Sequence, residues 1–190
     1  MALPLFIWLA GAALFVSFAF FAFAQAAVAR GGAQSAADAA ALAAGQEARS
    51  DLVEGLIRAI EGEESWSAWL LGEQLVGQSS EAAAEVLANE NSAKLDGFES
   101  GVRARGMEFR VAVSTSYTVG ESLIPGTESM HAEAEATALV SPLCTVPEGV
   151  DEGEGVEFVC DGEEFSFSVG DLNGGQFPDD SLLFSVHLVE

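Results

Sequence analysis

The stretch "GGAQSAADAAALAAGQEAR", residues 31–49, decides how this chain is read. Alanine has the highest intrinsic helix propensity, so the stretch predicts a helix. Leu42 is its only large apolar side chain. A helix ordinarily holds its place by burying a stripe of large apolar residues. This one has small residues where that stripe should be. Ala36, Ala40, Ala44 and Ala48 fall on one line along the helix, and Ala33, Ala37, Ala41 and Gly45 on the next. Small residues at four-residue spacing let backbones approach closely, a signature of helix association in and near membranes. Two readings stay open: the helix packs against thin helices of partner proteins, or it is a stalk covered by its own domain.

On the N-terminal side the chain turns fully apolar. Leu3 to Ala24 carries no charge and is rich in Phe, with Phe6, Phe15, Phe18, Phe20, Phe21 and Phe23. A membrane-spanning helix needs about 20 apolar residues, and this run supplies them. Trp8 suits a membrane–water interface. The competing reading is a secretory signal peptide, for which "AFA" at Ala22–Ala24 offers a cleavage site. A signal peptide needs a basic start and an apolar stretch of about 7–15 residues. "MALP" has no basic residue and the run is longer, so a retained anchor is preferred. Arg30 just after the span weakly favours a cytoplasmic C-terminus. The acidic domain and the cysteine pair favour the outside, and that argument is the stronger.

The net charge is -23, and every basic residue lies between Arg30 and Arg110. Nucleic acid and anionic lipid surfaces both need positive charge, so neither is an expected partner. Cys144 and Cys160 form a disulfide if their part of the chain faces an oxidising space; otherwise they are two buried thiols.

On the C-terminal side the helical pattern continues through "SDLVEGLIRAI", residues 50–60, with Leu52, Leu56, Ile57 and Ile60 at helical spacing. Gly31-Gly32 would permit a kink. After a polar break at Gly62–Ser65, Trp66, Trp69, Leu70 and Leu75 predict a short amphipathic helix. The tryptophans read as core residues before they read as a binding platform. "SSEAAAEVLANENSAKL" predicts another helix from Ser80 to about Leu95, ended by Asp96-Gly97.

The period then changes to two. Phe109, Val111, Val113, Thr115, Tyr117 and Val119 alternate, as do Met130, Ala132, Ala134, Ala136, Ala138 and Val140, with His131, Glu133 and Glu135 on the opposite face. These are half-buried antiparallel strands, separated by a Pro125-Gly126 turn. "GVEFVC", "EEFSFSV" and "LLFSVHLVE" predict three more, with a hairpin turn at Asp161-Gly162. The expected fold class is α+β: a long N-terminal helix, short helices, then a small antiparallel β domain. The segments are a transmembrane helix at 1–29, an alanine-rich helix at 30–61, a helical segment at 62–97 and an acidic β-rich domain at 98–190.

Little here promises chemistry. The chain has no P-loop, GxGxxG, HExxH or G-x-S-x-G. His131 and His187 lack a nucleophile in a recognisable context, so no catalytic residue is expected and the chain reads as a non-enzyme. There is no CxxC, and neither histidine has ligand-like spacing to the cysteines. "DLNGGQFPDD" offers Asp171, Asn173, Asp179 and Asp180 as oxygen ligands but breaks the EF-hand pattern. No metal or cofactor is expected.

"AVARGGAQSAADAAALAAGQEAR" resembles the N-terminal signature of tight-adherence (Flp-type) pilus proteins of the TadE/TadG kind. In that family a membrane helix runs straight into R-x-x-A-Q-x-A-A-D-A-A-A-L-A-A. Arg30, Ala33, Gln34, Ala36, Ala37, Asp38, Ala39, Ala40, Ala41, Leu42, Ala43 and Ala44 match. "YTVGESLIPGTESMHAEAEATALVSPLC" and "LLFSVHLVE" resemble the TadG-related branch of high-GC Gram-positive bacteria. The resemblance implies a single-pass, pilin-like component of pilus assembly in the cell membrane, its C-terminal domain outside. Its implied partners are other pilus or secretion-machine membrane proteins, a second copy of the chain among them. Ahead of "LPLFIW" there is neither a leader ending in Gly nor the Glu that prepilins carry at their fifth mature position. Filament subunit and accessory membrane component therefore both stay open. The alternative of a different class is an anchored or secreted surface-binding module.

Overall fold

The computed structural model describes residues 3–62, 65–103, 106–119, 129–150, 155–168 and 177–189. Its first element, α1, is one uninterrupted helix from Leu3 to Glu61, 59 residues long. At 1.5 Å per residue it spans about 88 Å. It passes through Gly31-Gly32 as helix, because the alanines on either side outweigh the local cost of two glycines.

The other described elements gather around the C-terminal half of α1. Two short helices follow, α2 (Ser67–Leu70) and α3 (Ser80–Glu90). Then come β1 (Ala93–Arg103), β2 (Gly106–Thr118) and β3 (His131–Pro142). A small excursion contains β4 (Cys144–Thr145), β5 (Val156–Cys160) and β6 (Glu163–Phe167). The chain closes with α4 (Asp180–Leu183) and β7 (Phe184–Val189). β7 returns beside β3, giving a four-stranded antiparallel sheet in the order β1-β2-β3-β7; β4-β5-β6 form a second antiparallel sheet. This is the α+β layout expected.

The strand faces follow the alternation except at Tyr117 and Met130, which are exposed. Phe109, Val111, Val113 and Thr115 of β2 are buried, as are Ala138 and Val140 of β3, while His131, Glu133 and Glu135 face solvent. The turn at Asp161-Gly162 has φ of 49° and 84°. Two successive positive φ values are those of a type I′ turn, whose twist matches the strands it joins.

Two local expectations are corrected. The helix predicted to reach about Leu95 ends at Glu90, and β1 begins at Ala93. Pairing with β2 captures Ala93, Lys94 and Leu95 opposite Thr115, Ser114 and Val113; the register shift between Leu95 and Gly97 then leaves Asp96 outside the ladder. Cross-strand pairing overrides helix propensity there. The amphipathic helix over 66–75 shrinks to the four residues of α2, and Leu75, expected on its buried face, is 83% exposed. Gly72, with φ of 67°, breaks the run. The Pro125-Gly126 turn lies outside the described residues.

Trp66 is a core residue at 1% exposure, with its ring near Phe158, and Trp69 is half-buried over Gly55 of α1. Asp51 of α1 ties down the segment ahead of α3: it accepts from the Gly77 N–H at 3.2 Å and from Ser79 Oγ at 3.4 Å.

Cys144 and Cys160 are bonded, directly opposite each other on β4 and β5. They close a loop with a sequence separation of 16. A cross-link of that size restricts the unfolded chain by about 3 kcal/mol. The double replacement Cys144→Ser, Cys160→Ser is therefore expected to lower stability by about 3 kcal/mol in a urea titration. A loss under about 1 kcal/mol would show that the cross-link adds little to β4-β5-β6.

Candidate functional site

The candidate surface is built on α1, which has two halves of opposite character. From Phe6 to Val28 nearly every described side chain is exposed, including Phe15 at 74%, Phe20 at 72% and Phe23 at 75%. From Ala29 onward the helix is half swallowed. One helix is thus long and apolar enough to cross a membrane, near the N-terminus and with none of that window buried.

The small-residue stripes lie in the second half. Ala33, Ala36, Ala37, Ala40, Ala41, Ala44 and Ala48 are all 0% exposed, and Gly45 is buried. Ala36, Ala37, Ala40, Ala41, Ala44 and Ala48 belong to the same core as Phe109, Val111, Val140 and Phe184. Gly45 on one stripe lies against the sheet: a Cβ there would stand 2.7 Å from Val186 Cγ1 and 3.4 Å from Val140 Cγ2. Ala44 on the other lies beside α3, its carbonyl accepting from Ser80 Oγ at 2.9 Å. The chain's own domain covers these residues, which is the stalk reading left open above. The reason is visible in β3, whose core-facing row Ala134, Ala136 and Ala138 is also small. Small residues on both sides let helix and sheet approach closely, and alanine loses no rotamer entropy when buried. Leu42, the one large apolar residue of the stretch, is only half-buried.

The histidines are not brought together. His131 Nδ1 lies 2.5 Å from the Thr115 carbonyl, so that nitrogen carries the proton and donates. His187 pairs with Leu139, eight residues further along β3, about 26 Å at 3.3 Å per residue. The outer sheet face carries mixed charge. Arg103 Nε donates to Glu108 Oε2 at 3.2 Å, and Glu99 sits opposite Arg110. A groove of about 270 Å³ opens there between Glu99, Arg103, Glu108, Arg110 and Thr137. Its ion pair is exposed and worth little.

Among the described residues, no three His, Cys, Asp or Glu side chains gather where they could hold a metal. Asp171 and Asn173 of the acidic loop lie outside the described residues. Asp179 instead caps α4, accepting from the Ser181 N–H at 2.9 Å and from Ser181 Oγ at 2.6 Å. Those bonds hold its carboxyl below the ordinary value, helped by the positive charge of Arg49. The cap therefore persists above the unfolded-state pKa and is lost only as pH falls through the lower folded value. Arg49 itself was not singled out in the sequence. Its Nε is buried without a hydrogen-bond partner among the described residues. Nothing in the sequence pattern around Arg49 signals this placement.

Compared with family models, curated proteins and solved structures, the chain matches none.

Proposed function

We propose that the protein is a single-pass, membrane-anchored, pilin-like or accessory component of a Flp/Tad-type pilus or secretion machine, with its folded domain outside the membrane. The observation that carries the reading is the single helix that leaves a bare apolar half and enters a compact domain without a break. A stiff joint of this kind fixes the domain to the membrane-embedded rod. A flexible linker would have served a simple tether equally well. The disulfide supports an oxidising compartment for the domain. The TadE/TadG-like signature from Arg30 to Ala44 supports the class of machine.

With the alanine stripes covered, helices of other subunits would meet the exposed segment from Phe6 to Val28. Photo-crosslinking from Phe15 and Phe21 in native cells, read by mass spectrometry, tests this. The expected adducts are a pilus or secretion-machine membrane protein or a second copy of this chain. Adducts to lipid alone would overturn the assembly role. Recovery of the chain in the medium, beginning after Ala24, would overturn the anchor.

A further inference from the structure

We propose that the β2–β3 end of the domain rests in the phospholipid headgroup layer, with Tyr117 and Met130 as its contact residues. The inference rests on the membrane-anchored reading and adds the way the domain sits on the bilayer.

The continuity of α1 sets the height of every residue packed against it. Leu3 to Ala24 rises about 33 Å, matching a hydrocarbon core of about 30 Å. Tyr117 lies over Gly32, where its hydroxyl occupies the space a side chain would fill. Gly32 is eight residues beyond Ala24 and four beyond Val28, the last exposed apolar residue of the span before the first charge, Arg30. That places Tyr117 about 6 to 12 Å above the hydrocarbon edge. The polar layer of each leaflet is about 5 to 8 Å deep, so the ring falls within it when the hydrocarbon edge stands at Val28, the lower of the two heights.

The side chains at this end suit that layer. Met130 is 53% exposed and Tyr117 41%, although the alternation of their strands points both toward the core. The core thins there, because the residues α1 turns inward at this level, Ala29, Gly32 and Ala33, are small. Their strand ends are held together by the Val119 N–H, which donates to the Met130 carbonyl at 2.8 Å. Tyrosine, an apolar ring with a polar tip, is enriched at membrane–water interfaces. Arg30 is exposed two residues before Gly32, where its long side chain can reach lipid phosphates. Leu75 is more exposed still, but it lies at the other end of the domain. Its neighbour Gly77 bonds to Asp51, 19 residues and about 28 Å further along α1 than Gly32.

The test uses the full chain in phosphatidylcholine vesicles containing lipids spin-labelled at the headgroup or deep in the acyl chain. Both native cysteines are bonded, so each introduced cysteine is the only thiol open to a fluorophore. Met130→Cys, Leu75→Cys and Val16→Cys are labelled separately. The headgroup spin label is expected to quench the Met130 position at least about twofold more than the Leu75 position, since only the first lies within the polar layer. Equal quenching at both would overturn the proposal. Val16, in the middle of the span, reports on the anchor: deep quenching there with none at Met130 leaves the anchor standing and removes only this inference. Loss of quenching at Val16 removes both.

Discussion

The double replacement Ala40→Leu, Ala44→Leu is expected to lower stability by about 5 kcal/mol, enough to leave much of the chain unfolded at 37 °C. Both alanines are 0% exposed, and the Ala44 carbonyl touches Ser80 of α3. Each leucine adds a branched group where facing elements leave room for a methyl, and overpacking costs about 1–3 kcal/mol per site. The two sites are one helical turn apart, so their effects couple and the sum is approximate. Leucine is nearly as good a helix former as alanine, so the loss would come from docking and not from the helix itself. Urea titration of the full chain in detergent, followed by tryptophan fluorescence, gives the number. Trp66 and Trp69 pack close to α1 and report its detachment. Ser35→Leu and Gln46→Leu, on the exposed side, are expected to stay within about 0.5 kcal/mol. The experiment also decides between the two uses of the stripe. If its task were to receive a partner helix, the isolated chain would melt unchanged and only partner capture would fall.

Phe158→Ala is expected to cost about 3–5 kcal/mol. Phe158 is 1% exposed and is the hub of an aromatic cluster. Its ring centroid lies 5.4 Å from Phe165, 6.0 Å from Phe167 and 6.2 Å from Trp66. Through Trp66, just before α2, the cluster fastens the β4-β5-β6 sheet to the rest of the molecule. Removing the ring leaves a cavity between them. Hydrogen exchange should show the amides of β5 and β6 losing protection before those of β2 and β3. Simultaneous loss in both sheets would show that the small sheet is not a separate cooperative unit.

Much of the architecture was legible because it follows from local pattern. The uncharged run ahead of Arg30 and the alanine density behind it dictate one long helix. Period-two alternation marks β2 and β3, and Asp161-Gly162 marks the β5–β6 hairpin. The boundary of β1 was not legible. "NSAKL" can serve a helix or a strand, and only pairing with Thr115, Ser114 and Val113 selects the strand. The candidate site was legible in its residues and open in its use. The stripes Ala33–Gly45 and Ala36–Ala48 announce a close neighbour without naming it.

The sequence by itself determined that α1 would form, that its first half would be apolar on every side, and that its second half would pack closely against something. Those properties depend on residues within a few positions of one another. Only the tertiary structure decided that the neighbour is the chain's own sheet and α3. That outcome depends on Ala134, Ala136 and Ala138, about a hundred residues away, presenting an equally flat surface to the alanine face. Complementarity between two surfaces is a property of the pair, and neither segment carries it alone.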